Sequence, residues 1–277
     1  MNTEISDDDA SIHYYDSDYP SSDHGLYPEN FDEVTKYQGL AFDVARYQEI
    51  AAEVGEPILE LCCGTGRVAI PLARAGFQVV GVDASAAMLQ QFKAKLARED
   101  HSLTARIELI KQDITALSLG EREFPLAIIA FNSFLCITDF EAQCRALHAV
   151  AKHLTQGGTL VLDVVNPLNL KLQGDPLPKP FFTRRSSESG NTYTRFAMLG
   201  AFDENQKQRL HGWYDEVAAD GSVKRRFYSV YWRPVFRFEV ELMLKQAGFE
   251  IVKVEGGHQK EPFTAQSPKI FIQARKV

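Results

Sequence analysis

Glu60, Gly64, Gly66 and Asp83 are the residues of this 277-residue chain whose types and spacing point most directly to chemistry. They lie in PILELCCGTGRVAIPLARAGFQVVGVDASAAM, residues 57–88, which reads as strand, glycine turn, helix and a second strand ending in an acid. Gly64 and Gly66 let the backbone turn sharply and approach a ligand, and the free amides of the helix that begins at Val68 face the same crevice. Asp83 follows the apolar run QVVGV, where a carboxylate can accept both hydroxyls of a ribose. The spacing from Gly64 to Ala69 satisfies the relaxed dinucleotide fingerprint G-x-G-x-x-A, a weak signal when taken alone. Glu60, four residues before Gly64, separates the readings: its charge repels the two phosphates of a dinucleotide and attracts a ligand carrying an ammonium and a sulfonium.

These residues need a frame that brings them to one edge. The periodicity predicts a helix over 41–54, strand 57–62, helix 66–75, strand 77–82, helix 85–98, strands 105–111 and 125–131, helix 139–155 and strand 159–165. Such alternation means a parallel sheet with helices on both faces, and right-handed crossovers put the ligand-facing loops at the carboxyl ends of the strands. Gly64, Asp83, Asp113 and Asn132 all fall at such ends. Residues 168–236 break the pattern. TYTRFAML, KQRLHGWYDEV and VKRRFYSVYW alternate polar with apolar, are rich in aromatic and β-branched residues, and are punctuated by turns such as Asp220-Gly221. They predict an antiparallel sheet inserted after the fifth strand, leaving from the same edge as the loops, as a lid or acceptor cover.

ELCCGTGR followed by GVDASAAML resembles the first two motifs of class I S-adenosylmethionine-dependent methyltransferases, with Cys62 in place of the first glycine of Gly-x-Gly-x-Gly. LIKQDITAL (109–117), FPLAIIAFNSFLCI (124–137), GGTLVLDVVNP (157–167), AGFEIVKVEGG (247–257) and PKIFIQARKV (268–277) resemble the later motifs, so the likeness covers residues 40–165 and 236–277. It implies an α/β fold: a doubly wound, seven-stranded Rossmann-like sheet with an antiparallel last strand. It further implies that Glu60, Cys62, Gly64 and Gly66 hold the methionine part of S-adenosylmethionine. Asp83 would hold the ribose, Asp113 and Ile114 the adenine, with Ala84, Met88 and Phe131 flanking the cofactor. The insertion is similar to that of small-molecule N-methyltransferases, including those acting on amino sugars and glycine. The resemblance thus implies methyl transfer to a nitrogen, less readily an oxygen, of a small molecule. The domain division is an acidic, partly disordered segment 1–40 that can cover the cofactor, a core of 41–167 and 236–277, and a subdomain over 168–235.

A nitrogen acceptor needs only its lone pair, whereas a hydroxyl needs a base within hydrogen-bond reach. His211, in a predicted lid strand on one face with Arg209, Trp213 and Asp215, is the first candidate base, against the plainer alternative of a surface strand histidine. Asn132 is a candidate for orienting the acceptor or, equally, for capping the following helix. Tyr15 belongs to an N-terminal cluster with His13, Tyr14, Tyr19, His24 and Tyr27, where packing roles compete with catalytic ones. His148 and His153 fall on the predicted helix 139–155 and read as structural.

Composition narrows the setting. A hydrophobic share of 45% suits a globular enzyme, and a net charge of −7 argues against a nucleic-acid surface. Cys62, Cys63, Cys136 and Cys144 form neither a disulfide framework nor a metal pair, so a reduced, cytoplasmic protein without a metal is expected. The acidic start resembles no signal peptide, and no apolar run reaches the roughly 18 residues of a membrane span. Residues 1–38 carry ten acids against Lys36, while 178–238 carry eleven bases against six acids. That asymmetry fits two solvated faces that balance, or a positive wall favouring an anionic acceptor; Trp213, Tyr228 and Trp232 suit a ring or sugar face. A homodimer stays open. Two other functions stay open as well: an NAD-dependent oxidoreductase, which would leave Glu60 and Asp113 without purpose, and a non-catalytic cofactor-binding regulator.

Overall fold

The computed structural model describes residues 9–21 and 40–277. Two short helices, α1 (Ala10–His13) and α2 (Tyr15–Asp18), precede α3 (Asp43–Val54) and strand β1 (Ile58–Leu61). All four residues of β1 are buried, and alternation splits them between two apolar clusters: Ile58 joins one, Leu59 and Leu61 the other. Around β1 run β2 (Val79–Asp83), β3 (Ile107–Lys111), β4 (Phe124–Ile129) and β5 (Leu154–Val165), all in parallel register. β10 (Phe249–Glu255) and β11 (Lys269–Lys276) complete the sheet antiparallel, in the order β10-β11-β5-β4-β1-β2-β3.

Helices α3, α4 (Ala69–Arg74) and α5 (Ala86–Leu96) cover one face of this sheet; α7 (Phe140–Lys152) and α8 (Arg237–Gln246) cover the other. The short α6 (His101–Thr104) leads into β3. The chain moves outward from β1 to β3 and then returns to β4. The order therefore reverses between β1 and β4, the switch point where doubly wound sheets open a ligand crevice.

A second sheet follows β5: β6 (Asp175–Arg185), β7 (Thr192–Leu199), β8 (Gln208–Val217) and β9 (Val223–Trp232), antiparallel throughout and in sequence order. Three of its strands match the alternating runs of the sequence. The fourth, β6, carries Pro176, Pro178 and Pro180; it lies at the sheet edge, where missing N–H donors leave no ladder bond unmade. Several boundaries differ from those expected, two of them for reasons the contacts show. β5 starts at Leu154 rather than 159, because Leu154 pairs with Phe124. α7 stops at Lys152, leaving His153 as its C-cap. Within the segment 1–40, expected to be partly disordered, the described residues form α1 and α2: the Asp9 carboxylate caps α1, and Ala10 and Ile12 are buried. Residues 1–8, and His24 and Tyr27 with their neighbours over 22–39, lie outside the described residues. Among the described residues no helix is long and apolar enough to cross a membrane.

Candidate active site

The loop after β1 turns through three left-handed residues, Cys62 (φ +56°), Gly64 (+55°) and Gly66 (+82°). Gly66 has no alternative: a Cβ there would sit 2.3 Å from the Phe92 ring. Cys62 adopts the glycine-like conformation despite its side chain, at a strain on the order of 1 kcal/mol. The substitution of the family's first glycine therefore leaves the backbone path in the left-handed region. Cys63 points into the apolar cluster with α3 and α4, while Cys62 is half-buried on the other side. Burial raises both thiols well above their ordinary range, so neither is a nucleophile.

Asp83 ends β2 and ties the glycine loop to it. Its Oδ2 accepts the Gly64 N–H and its Oδ1 the Ser85 N–H, both at 2.8 Å. Burial raises its pKa against the pull of these amides. Ser85 caps α5 by accepting the Met88 N–H at 3.2 Å, which fixes Ala84 and Met88 beside Asp83. Glu60 is buried, and its Oε2 has no hydrogen-bond partner in the protein. Burial pushes its carboxyl up to about 8, although Arg67 draws it down. Asp113 caps the 3-10 turn Ile114–Ala116 through the Thr115 N–H and is otherwise exposed; Ile114 is buried.

Phe131 and Asn132, after β4, are two consecutive left-handed non-glycine residues, φ +49° and +66°. Asn132 caps no helix with its side chain: its Oδ1 accepts the Val165 N–H of β5 at 2.6 Å. The Phe131 ring meets Tyr19 edge-on at 4.9 Å, and Tyr19 meets Tyr15 at 5.0 Å. The Tyr15 hydroxyl lies 4.0 Å from the position a Cβ would take on Gly64. A ladder of three aromatic rings thus runs from the glycine loop to the β4 loop. Burial raises the Tyr15 hydroxyl above its ordinary range.

Residues 9–19 tie that ladder to the second sheet. Asp18 is fully buried and accepts the Tyr214 hydroxyl at 2.6 Å, the Tyr193 hydroxyl at 2.7 Å and Arg195 at 3.0 Å. Tyr14 donates to Glu216 at 2.5 Å. On the other side Asp16 accepts from Thr65, inside the glycine loop, at 2.5 Å and from Lys95 at 2.9 Å. Sequence reasoning did not single out Asp16, Asp18, Thr65 or Arg195. Their partners lie up to 196 positions away, and no local spacing signals them.

The structure does not bring His211 to these groups. It pairs with Met198 and Ser229 on the face that carries Trp213 and Asp215, whose side chains bond to each other at 3.1 Å. Tyr214 and Glu216, reaching Asp18 and Tyr14, point to the opposite face. Burial and Arg209 lower the His211 pKa. Within the insertion Arg195 pairs with Asp18, Arg225 with Asp215 and Arg233 with Glu239, whereas Arg226 Nη1 is buried without a hydrogen-bond partner, so both charge readings stay open. His153, read as structural, accepts the Leu119 N–H at 3.2 Å.

A methyltransferase domain family matches residues 58–158. The chain is 26% identical over 223 residues to the cypemycin N-terminal methyltransferase of Streptomyces sp, covering 79% of this chain and 82% of that protein. Its fold is similar to that of the CcbJ methyltransferase from Streptomyces caelestis (TM-score 0.74, 24% identity, 89% of this chain and 100% of that one). It is also similar to CalS10, an amino pentose methyltransferase from Micromonospora echinaspora (TM-score 0.67, 20% identity, 92% and 99%). The fold and the matched domain define a class I methyltransferase. With its curated relatives, that matched domain makes the chain an S-adenosylmethionine-dependent methyltransferase. The residues present fit that cofactor: a buried carboxyl oxygen without a partner, a glycine loop whose backbone can be approached closely, and an acid at the end of β2.

Proposed function

We propose that this enzyme moves a methyl group from S-adenosylmethionine to a nitrogen of a small-molecule acceptor. The observation that carries the choice of nitrogen is where the described histidines lie. His13 pairs with Glu188, His153 with Leu119, His258 with Asp163; His101 and His148 are exposed, and His211 is on the far face of the second sheet. Histidine is the commonest base for a hydroxyl acceptor, and none of the described histidines touches Glu60, the glycine loop or Asp83, whereas an uncharged amine brings its own lone pair. The relatedness to an N-terminal methyltransferase supports the same reading.

In this reading Glu60, Cys62, Gly64 and Gly66 receive the methionine part, with Glu60 Oε2 meeting its ammonium. Asp83 keeps its two amide bonds and offers its remaining lone pairs to the ribose. Asp113 and Ile114 take the adenine, and Ala84, Met88 and Phe131 enclose the adenosine and the sulfur. When bound, the cofactor supplies an activated methyl on a positively charged sulfur, displaced in line with a neutral leaving group. The task of the chain is alignment and exclusion of water, and fixed orientation accounts for roughly 7–11 kcal/mol of such a barrier. Tyr15, Tyr19 and Phe131 wall the acceptor side, Asn132 orients it, residues 168–235 cover it, and residues 9–21 tie the cover to the glycine loop. The aromatic wall suits a sugar or ring face.

Methyl-labelled S-adenosylmethionine, incubated with the enzyme and a panel of amino sugars, α-amino acids and peptides, tests this by mass spectrometry. N-methylated product with S-adenosylhomocysteine is expected. Methylation confined to hydroxyls of matched non-amine analogues would contradict it.

A further inference from the structure

Asp163 is fully buried and has no part in the reading above. Its carboxylate, on β5, gathers groups from four other parts of the chain. Oδ2 accepts the Tyr47 hydroxyl of α3 at 3.1 Å and the Phe131 backbone N–H at 3.3 Å, and lies 3.1 Å from Nε2 of His258, in the segment between β10 and β11. Oδ1 lies 3.1 Å from Nζ of Lys269, at the start of β11. Burial alone would raise its pKa; Lys269 and His258 outweigh burial and hold it well below the usual carboxylate range, so it is ionised at neutral pH.

The same residue grips the β4 loop a second time. Its carbonyl oxygen accepts the Asn132 N–H at 2.9 Å, and Asn132 returns its side-chain oxygen to Val165. The left-handed pair Phe131–Asn132 is thus fastened to the end of β5 at three points. A phenylalanine rarely holds that conformation unless its surroundings impose it. The turn sets the Phe131 ring against Tyr19, with Arg67 and Lys269 each 5.0 Å from its centre.

We infer that Asp163 is a positioning residue that fixes the Phe131–Asn132 turn beside the transferred methyl, with Lys269 and His258 holding its carboxylate in place. The inference rests on the reading of that turn as a wall of the methyl-transfer site. Asp163→Leu combined with Lys269→Met removes the oxygen that Phe131 N–H needs without stranding a buried ammonium. Asp163→Asn with Lys269→Met restores an oxygen in the same place.

S-adenosylmethionine carrying a carbon-13 methyl, bound to each protein, reports the surroundings of the methyl by NMR, while calorimetry gives the affinity. Both double variants are expected to bind within about threefold of the natural protein, a change worth well under the 1.4 kcal/mol of a tenfold step. The bound methyl resonance is expected to move in the Leu variant and to stay near its natural position in the Asn variant. An unmoved resonance in the Leu variant overturns the inference. Phe131→Ala separates the two layers: if it moves the resonance while the Leu variant does not, only Asp163 fails. If it moves nothing, the placement of the turn fails and the inference with it. Should the Leu variant not fold, amide exchange of Phe131 in the natural protein decides. Protection of about 100-fold or more is expected of an amide held by a buried carboxylate, and exchange at the rate of an open loop overturns the proposal.

Discussion

Glu60 holds a carboxyl group, pushed up to about 8 by burial, with one oxygen that nothing in the protein satisfies. Arg67, Asp83 and Lys95 are the charges around it, and Ala69 offers it a backbone N–H. Below pH 8 that carboxyl is mostly protonated and neutral, yet an ammonium ligand needs it charged. Cofactor affinity should therefore rise by up to about tenfold per pH unit from pH 6 toward 8, then level as the ligand's own α-amino group, with a pKa of about 7.7–8.0, loses its charge. Calorimetric titrations across that range check this. Glu60→Gln should flatten the profile and weaken binding at pH 8, and a natural protein with pH-independent affinity would separate Glu60 from the ammonium. The sequence showed the acid and its distance from Gly64. It could not show that Oε2 lacks a partner, because that depends on what α4 and α5 leave within reach.

Elements decide whether the residues of the site stay together. The helices α1 and α2 touch the glycine loop through Asp16 and the second sheet through Asp18, so the short N-terminal segment is a physical link between two sheets. Asp18→Ala strands Arg195 in the interior, a loss of about 3–5 kcal/mol. Limited proteolysis should then cut residues 9–21 well before the core, and cleavage as slow as in the natural protein would refute the link. His211→Ala, on the other face of β8, should leave turnover within about twofold and its pH dependence unaltered, as expected of a half-buried residue that touches none of the groups around the glycine loop. A large loss of kcat would return His211 to the mechanism. Period-two alternation placed His211, Trp213 and Asp215 together correctly. What alternation cannot supply is which face meets the rest of the molecule; here that is set by Tyr193 and Tyr214 reaching Asp18, whose own spacing is silent. The strand β6 was hidden for another reason: its prolines are breakers everywhere except at an edge.

At the scale of the whole molecule, one doubly wound sheet brings four loops to the carboxyl edge of its parallel strands, and a second sheet is anchored across the N-terminal helices. The parallel core was legible because each strand and helix announces itself by its own period. Buried pairs such as Asp18–Arg195, Asp43–Arg67 and Asp163–Lys269 were not, since each joins distant segments. The account stands on the meeting of Glu60, the glycine loop and Asp83 around one adenosyl sulfonium. Calorimetric titration of S-adenosylmethionine into the natural protein and into Asp83→Ala tests that most directly. Saturable binding by the natural protein is expected, with a loss of about tenfold or more in the variant, as for removal of a ligand-bound charged acceptor. Equal affinity in the two proteins, or no binding by either, would contradict it.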